Sequence, residues 1–329
     1  MKNVLITGVA GLLGSHYSKH LLNRGYKVIG IDDLSGGYRD FIDDRVNFYQ
    51  FDLKNQNKVN EVFSNNRIDV VYHFAAYAAE GLSPFIRNFN YSNNILSSVN
   101  LINASITNSV EKFIFTSSMA VYGRANPPFS ETTPLAPDDP YGVAKMCVEQ
   151  DLLLANNQFG LDYNIVRPHN VIGVNQNIWD RYRNVIGIWI RKVLSGSSIT
   201  VYGDGLQTRA FSDIQYYMDP FEKLIDLGGG EVFNIGADQY FKIIDVANLC
   251  QKVGNKYGFY SDIVHLEPRH EVKHAFCDHS KAKKLLNFED KTDIEKTIDE
   301  MFVWAMNQPN REVKNMEYEV NKGIYKFWK

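Results

Sequence analysis

Tyr141 and Lys145 stand four residues apart in the segment YGVAK. On a helix, side chains at that spacing share a face. An ammonium beside a phenol favours the phenolate and lowers its pKa, and a phenolate near neutral pH can serve as a general base. Ser118 lies 23 residues earlier, at the end of a β-rich run. It is placed to hydrogen-bond the same hydroxyl that such a base would deprotonate. Taken alone, a YxxxK pair is a weak signal, because both residues are common on solvated helix faces. Its weight comes from that serine and from a glycine-rich turn earlier in the chain.

Gly8, Gly11 and Gly14, with Leu12 and Leu13 between the last two as further candidates to line a cofactor, follow the apolar run VLIT and open a helical segment. The spacing is GxxGxxG. Glycines there let the backbone turn tightly and approach a pyrophosphate, while the helix N-terminus offers free N–H groups. The next β-rich run ends in Asp32, 21 residues after Gly11. A carboxylate at that point accepts hydrogen bonds from ribose hydroxyls and repels a 2′-phosphate, which favours NAD over NADP. Asp52 and Leu53 close a third β-rich run and reach either the adenine edge or a helix-capping turn.

These groups need a frame. In the first half, β-rich runs at 4–7, 28–31, 46–51, 70–74, 112–117 and 163–167 alternate with helical patterns at 14–23, 58–64, 93–107 and 141–157. Apolar runs without strict alternation fit strands buried on both faces. Strand–helix alternation at this spacing predicts an α/β fold, a Rossmann-type doubly wound parallel sheet. Past residue 170 the pattern loosens, with helices at 185–194, 243–253 and 294–306 and strands at 199–202 and 231–235. We expect residues 1–170 to bind the dinucleotide, with the strand near 231–236 returning to that sheet. Residues 171–329 are expected to form a smaller, mixed α/β substrate lobe. The aromatic C-terminus, ending YKFWK, is expected to fold back on the body.

Composition narrows the classes. A net charge of −3 gives no polyanion-binding surface, so no nucleic-acid partner is expected. Cys147, Cys250 and Cys277 have no paired spacing, so no metal site or disulfide framework is expected, and reduced thiols fit the cytoplasm. No apolar run approaches the length of a signal core or a membrane span.

The ordered set of glycines, Asp32, HFAA at 73–76, SSMAVYG at 117–123 and YxxxK resembles the extended short-chain dehydrogenase/reductase family. Further matches are RPHN at 167–170, VYGDGLQTRAF at 201–211 and EVKHAFCDHSKAKKLL at 271–286. The resemblance extends to about residue 305 and points to NAD-dependent nucleotide-sugar epimerases. It implies that Tyr141 is the base acting on the sugar 4-hydroxyl, that the sugar passes through a 4-keto form, and that NAD is regenerated. Lys145 would hold the phenolate and the nicotinamide ribose, and Ser118 would orient the sugar. Ser117, Ala75, Ala76 and Asn94 would line the cofactor. Asn170, Arg209 and Arg269 would hold the nucleotide diphosphate, a task suited to bidentate arginines. Against this, Arg209 and Arg269 as simple surface ion pairs remain an alternative.

Met119 is expected to shape the sugar pocket. Ala275, three residues before Asp278, is expected to leave room for an N-acetyl group. A one-residue gap after Arg269 sets this stretch apart from the family pattern. His169 is read as a satisfied wall residue, and Arg181 and Arg183 either as reaching a charged sugar or, the reading preferred here, as a solvated loop. The helices at 93–107 and 141–157 match the pair that forms a homodimer bundle in the family. The implied reaction is 4-epimerisation of UDP-glucose or UDP-N-acetylglucosamine. UDP-glucuronate 4-epimerisation, CDP-sugar 2-epimerisation, net reduction and dehydration are the alternatives, with a non-catalytic NAD-binding scaffold behind them. Dehydratases of this kind carry an Asp-Glu pair where this chain has Met119 and Ala120, and neither of these can transfer a proton.

Overall fold

A computed structural model describes residues 2–328, so Met1 and Lys329, the outer limits of the two expected lobes, lie outside the described residues. The first half contains strands β1 (Asn3–Thr7), β2 (Lys27–Asp32), β3 (Asn47–Gln50), β4 (Val70–His73), β5 (Lys112–Thr116) and β6 (Tyr163–Pro168). Between them run α1 (Leu12–Asn23), α2 (Gln56–Asn65), α3 (Arg87–Tyr91), α4 (Ser97–Thr107) and α5 (Pro140–Phe159). The second half adds β7 (Val171–Ile172), α6 (Val185–Leu194), β8 (Ile199–Tyr202), β9 (Thr208–Ala210), β10 (Ser212–Asp213) and α7 (Met218–Lys223). After these come β11 (Glu231–Ile235), β12 (Tyr240–Lys242), α8 (Ile243–Lys256), β13 (Ile263–Leu266), β14 (His274–Ala275), α9 (Ser280–Leu286) and α10 (Ile294–Met306).

Seven strands form one parallel sheet in the order β11-β6-β5-β4-β1-β2-β3. β1 and β4 are neighbours and their connections leave in opposite directions along the sheet, so a crevice opens at their carboxyl ends. That switch point is where open α/β sheets bind ligands. One face of the sheet is closed by an apolar layer including Val4, Ile6, Tyr17, Leu21, Phe221 and Leu286. The other is closed by Leu5, Val59, Leu101, Val148 and Leu152. Burial on both faces explains why these strands read as continuous apolar runs.

Residues of the second half build a further apolar core, with Trp189, Ile190, Val246, Ala247, Met301 and Phe302 where α6, α8 and α10 meet. Three short two- and three-stranded sheets complete that half. The C-terminal residues form a fourth apolar cluster, in which Ile324 and Trp328 meet Leu82, Phe85, Ile86 and Tyr182. The tail thus bridges the two halves of the chain.

One element departs from its expected form. The helix expected at 93–107 begins at Arg87 and passes through a π-helical turn, Ser92–Leu96, before α4. Such a turn carries one more residue than an α-turn and rotates the faces beyond it.

Candidate active site

The glycines act where their missing side chains are needed. Gly8 has φ +68°, and a Cβ there would stand 2.8 Å from the Ala75 amide nitrogen. A Cβ on Gly14 would stand 2.1 Å from the Gly8 carbonyl oxygen. Both contacts lie inside van der Waals separation, so the β1–α1 turn folds tightly against the end of β4. Gly11 caps α1 with no side-chain hydrogen bond, which leaves the first-turn N–H groups free for an anion. Asp32 ends β2 with one carboxylate oxygen accepting from the Ala10 amide at 3.0 Å and the other from the Leu34 amide at 2.8 Å. Burial raises its pKa, and the two amides oppose that shift.

One cavity follows this turn and runs between the two halves of the chain. Gly8, Gly11, Leu12, Leu13, Gly14, Asp32, Asp52, Leu53, Ala75, Ala76 and Ser117 all line it. Asn100 Nδ2 donates to the Leu53 carbonyl at 2.9 Å and steadies that wall. The residues present fit NAD: a glycine turn at the switch point, an uncapped helix end, a ribose-side carboxylate, and the unpartnered buried hydroxyls of Thr116 and Ser117 on the wall. Asn94 departs from its expected place. It is buried, and its Oδ1 accepts from the Tyr77 amide at 3.0 Å. Asn93 and Ser97 line the cavity instead, because the π-turn shifts the register of that helix.

The Tyr141–Lys145 pair sits in the first turns of α5. Asp139 caps this helix by accepting from the Gly142 amide at 2.9 Å, and Pro140 occupies its first turn. Tyr141, Lys145 and Ser118 face the same cavity. Ser118 precedes the turn Met119–Tyr122 and accepts from the Ala120 amide at 3.1 Å.

The electrostatics differ from the expected picture. Lys145 Nζ donates to the Thr116 carbonyl at 2.7 Å and lies 5.8 Å from the Tyr141 ring centre. Burial lowers the Lys145 pKa to about 7, with Glu149 opposing. Tyr141 is pushed upward, first by burial and then by Glu80, while Ser118 favours the phenolate. Desolvation of the phenol therefore sets the direction of its shift, upward and contrary to the expected lowering.

On the substrate side, Asn170, Arg209, Arg269 and Met119 all reach the cavity. Asn170 adopts φ +43° and its Nδ2 donates to the Ala210 carbonyl at 2.9 Å. Arg209 and Arg269 converge on Glu271, at 3.1 and 3.5 Å. The Arg269 guanidinium also lies 4.6 Å from the Tyr202 ring centre. Both arginines therefore point into the cleft and are not surface ion pairs.

Ala275 does not line the cavity. It is buried in a cluster with Met119, Val121, Tyr122, Phe129 and Cys277, and Met119 is the member of that cluster on the cavity wall. Arg181 and Arg183 line the cavity and are not a solvated loop. Arg183 pairs with Asp180 at 2.9 Å and covers the Tyr77 ring at 4.6 Å. His169 is buried and stacks on His279 with ring centres 5.0 Å apart. Neither of its ring nitrogens forms a hydrogen bond of ordinary geometry among the described residues, so it is not the satisfied wall histidine expected. Sequence reasoning missed Glu80, Tyr202, Glu271 and Trp328, all on the cavity wall. Glu80, four residues past Ala76 on the β4 loop, was the most readable of these.

Residues 4–236 match the model of the NAD dependent epimerase/dehydratase family. A putative UDP-glucose 4-epimerase of Methanocaldococcus jannaschii is 31% identical, over 92% of this chain and 98% of that protein. The UDP-glucose 4-epimerase of Thermotoga maritima, solved with UDP-glucose, superposes with a TM-score of 0.87 at 30% identity, covering 92% of this chain and 98% of that one. A UDP-N-acetylglucosamine 4-epimerase of Methanobrevibacter ruminantium, solved with UDP-N-acetylmuramic acid, gives 0.84 at 28% identity, covering 93% and 98%. The chain belongs to the NAD dependent epimerase/dehydratase family.

Proposed function

We propose that this member of the NAD dependent epimerase/dehydratase family is an NAD-dependent nucleotide-sugar 4-epimerase acting on UDP-glucose and UDP-N-acetylglucosamine. The observation that carries the reading is one cavity holding Tyr141, Ser118 and Lys145 between the glycine turn and the Arg209–Arg269 pair.

Bound along the glycine turn, NAD supplies the acceptor that takes the sugar C4 hydride and gives it back. Tyr141 takes the proton of the 4-hydroxyl and returns it. Ser118 holds that hydroxyl in line with the phenol. Lys145, anchored to the Thr116 carbonyl, places positive charge beside the phenolate. Arg209, Arg269 and Asn170 hold the diphosphate, so the sugar can turn over while the nucleotide stays fixed. With Met119 and Ala120 after Ser118, no acid stands where dehydration of the sugar would need one.

We assign the functional unit as a homodimer in the cytoplasm. Leu96, ending the π-turn that leads into α4, is 46% exposed, and Leu154 on α5 is 63% exposed; together they give this helix pair an uncovered apolar face. Among the described residues no helix is long and apolar enough to cross a membrane. Sedimentation at micromolar concentration should give a dimer, and Leu154→Glu should give a monomer.

Proton NMR of the protein with catalytic NAD and either UDP-sugar tests the activity. New anomeric signals of the galacto product are expected. Their absence with both sugars in the NAD-bound protein would overturn the reading.

A further inference from the structure

Glu80 lies on the loop after β4, and its side chain is exposed to the cavity. Its carboxylate accepts no hydrogen bond from the described residues. The loop itself is fixed. The Glu80 carbonyl accepts from Ser83 Oγ at 2.8 Å, and the same Oγ accepts from the Tyr141 amide at 3.2 Å. The backbone of Glu80 is therefore tied to the first turn of the helix that carries the proposed base. A Cβ on Gly81 would stand 3.7 Å from Arg269 Nη1 and 3.7 Å from the Trp328 ring, so the loop also approaches the proposed diphosphate site. On the 4-epimerase reading the hexose sits between Tyr141 and the arginines, along the wall that Glu80 shares.

Resting on the 4-epimerase reading, we propose that Glu80 is a specificity-determining residue: its carboxylate accepts hydrogen bonds from the hydroxyls of a neutral hexose and excludes sugars that carry a carboxylate at C6.

The physical basis is charge in a confined space. Two like charges about 6 Å apart at an effective dielectric of about 20 disfavour binding by roughly 100-fold. The exclusion is limited by the cost of protonating Glu80. Enclosure by the cavity walls, which thins the water around it although the side chain is open to the cavity, raises this carboxyl to about 7, with Asp139 and Glu271 pushing it up and Arg209 and Arg269 pulling it down. Below pH 7 the neutral acid tolerates a uronate, and above pH 7 the anion rejects it. Preference for UDP-glucose over UDP-glucuronate should therefore rise about 10-fold between pH 6 and pH 8.

The test measures kcat/KM for both sugars across that range, in the NAD-bound wild type and in Glu80→Gln. Melting temperature and NAD content verify that the variant folds. Wild type should show the pH-dependent preference. In E80Q the preference should become flat with pH and fall at least 10-fold at pH 8, mainly through KM for UDP-glucuronate. A wild-type preference that does not change with pH, or one that E80Q leaves intact, would overturn the proposal. A wild type inactive on both UDP-glucose and UDP-N-acetylglucosamine would instead overturn the 4-epimerase reading, and this inference with it.

Discussion

Arg167 on β6 grips Glu149 on α5 in a two-pronged ion pair, Nε to Oε1 at 2.9 Å and Nη2 to Oε2 at 2.5 Å, with both side chains buried. Arg167 Nη1 also donates to the Tyr122 hydroxyl at 2.8 Å, and that hydroxyl donates to Asn234 Oδ1 on β11 at 2.7 Å. The pair therefore joins the helix bearing Lys145, the turn that follows Ser118 and the edge of the sheet. Removing one partner of a buried pair leaves an uncompensated charge and costs about 3–5 kcal/mol, whereas replacing both by apolar groups is often near neutral. Arg167→Met should lower unfolding free energy by that amount in urea titration, and the Arg167→Met/Glu149→Leu double variant should recover most of it.

Tyr141→Phe should lower kcat by at least about 10³-fold while leaving NAD content unchanged, since it removes only the proton acceptor. Burial holds the proton on the phenol, so the deprotonated, active form grows as pH rises. The wild-type kcat/KM profile should climb toward alkaline pH. Lys145→Met removes the side chain proposed to stabilise the phenolate and should move that climb to higher pH. An unchanged profile in Lys145→Met would remove the lysine from this role.

Asp32, which we propose faces the cofactor ribose, has both oxygens bonded to backbone amides. Its negative charge should exclude a 2′-phosphate. Fluorescence titration of protein stripped of nucleotide should show NAD bound at least about 10-fold tighter than NADP. Asp32→Ala should weaken NAD, strengthen NADP and bring the two within a few-fold. It should also cost about 1 kcal/mol of stability through the lost hydrogen bonds to Ala10 and Leu34.

Local chemistry made part of the site readable. Gly8, Gly11, Gly14 and Asp32 are set by one turn and the strand after it, and Tyr141 and Lys145 by one helical repeat, so short spacings sufficed. The parallel sheet was legible because strands buried on both faces leave continuous apolar runs. Asn94 was misplaced because a π-turn adds a residue to its helix, a change of register that apolar periodicity does not reveal. Ala275 was misplaced because Met119, more than 150 residues away in sequence, comes between it and the cavity. Arg183 and Trp328 reach the wall only through tertiary packing, one along an irregular loop and the other through the path of the C-terminal tail. The Lys145 effect was overestimated because spacing along a helix carries no information about desolvation.

His73 and His169 couple the fold to pH. His73 is locked between Thr7 Oγ1 at 2.7 Å and Ser98 Oγ at 2.9 Å, and burial depresses it to about 3. Burial and the neighbouring His279 also bring His169 to about 3. In the unfolded chain both titrate near 6.5, so the unfolded state takes up protons that the folded state refuses. Stability is complete above pH 6.5 and is lost as pH falls from there toward 3. Each histidine should remove about 2 kcal/mol between pH 7 and pH 5. His169→Leu abolishes one of the two contributions. Urea unfolding at those two pH values should then show a drop smaller than wild type by about 2 kcal/mol, and an equal drop in both proteins would mean that His169 does not stay neutral in the fold.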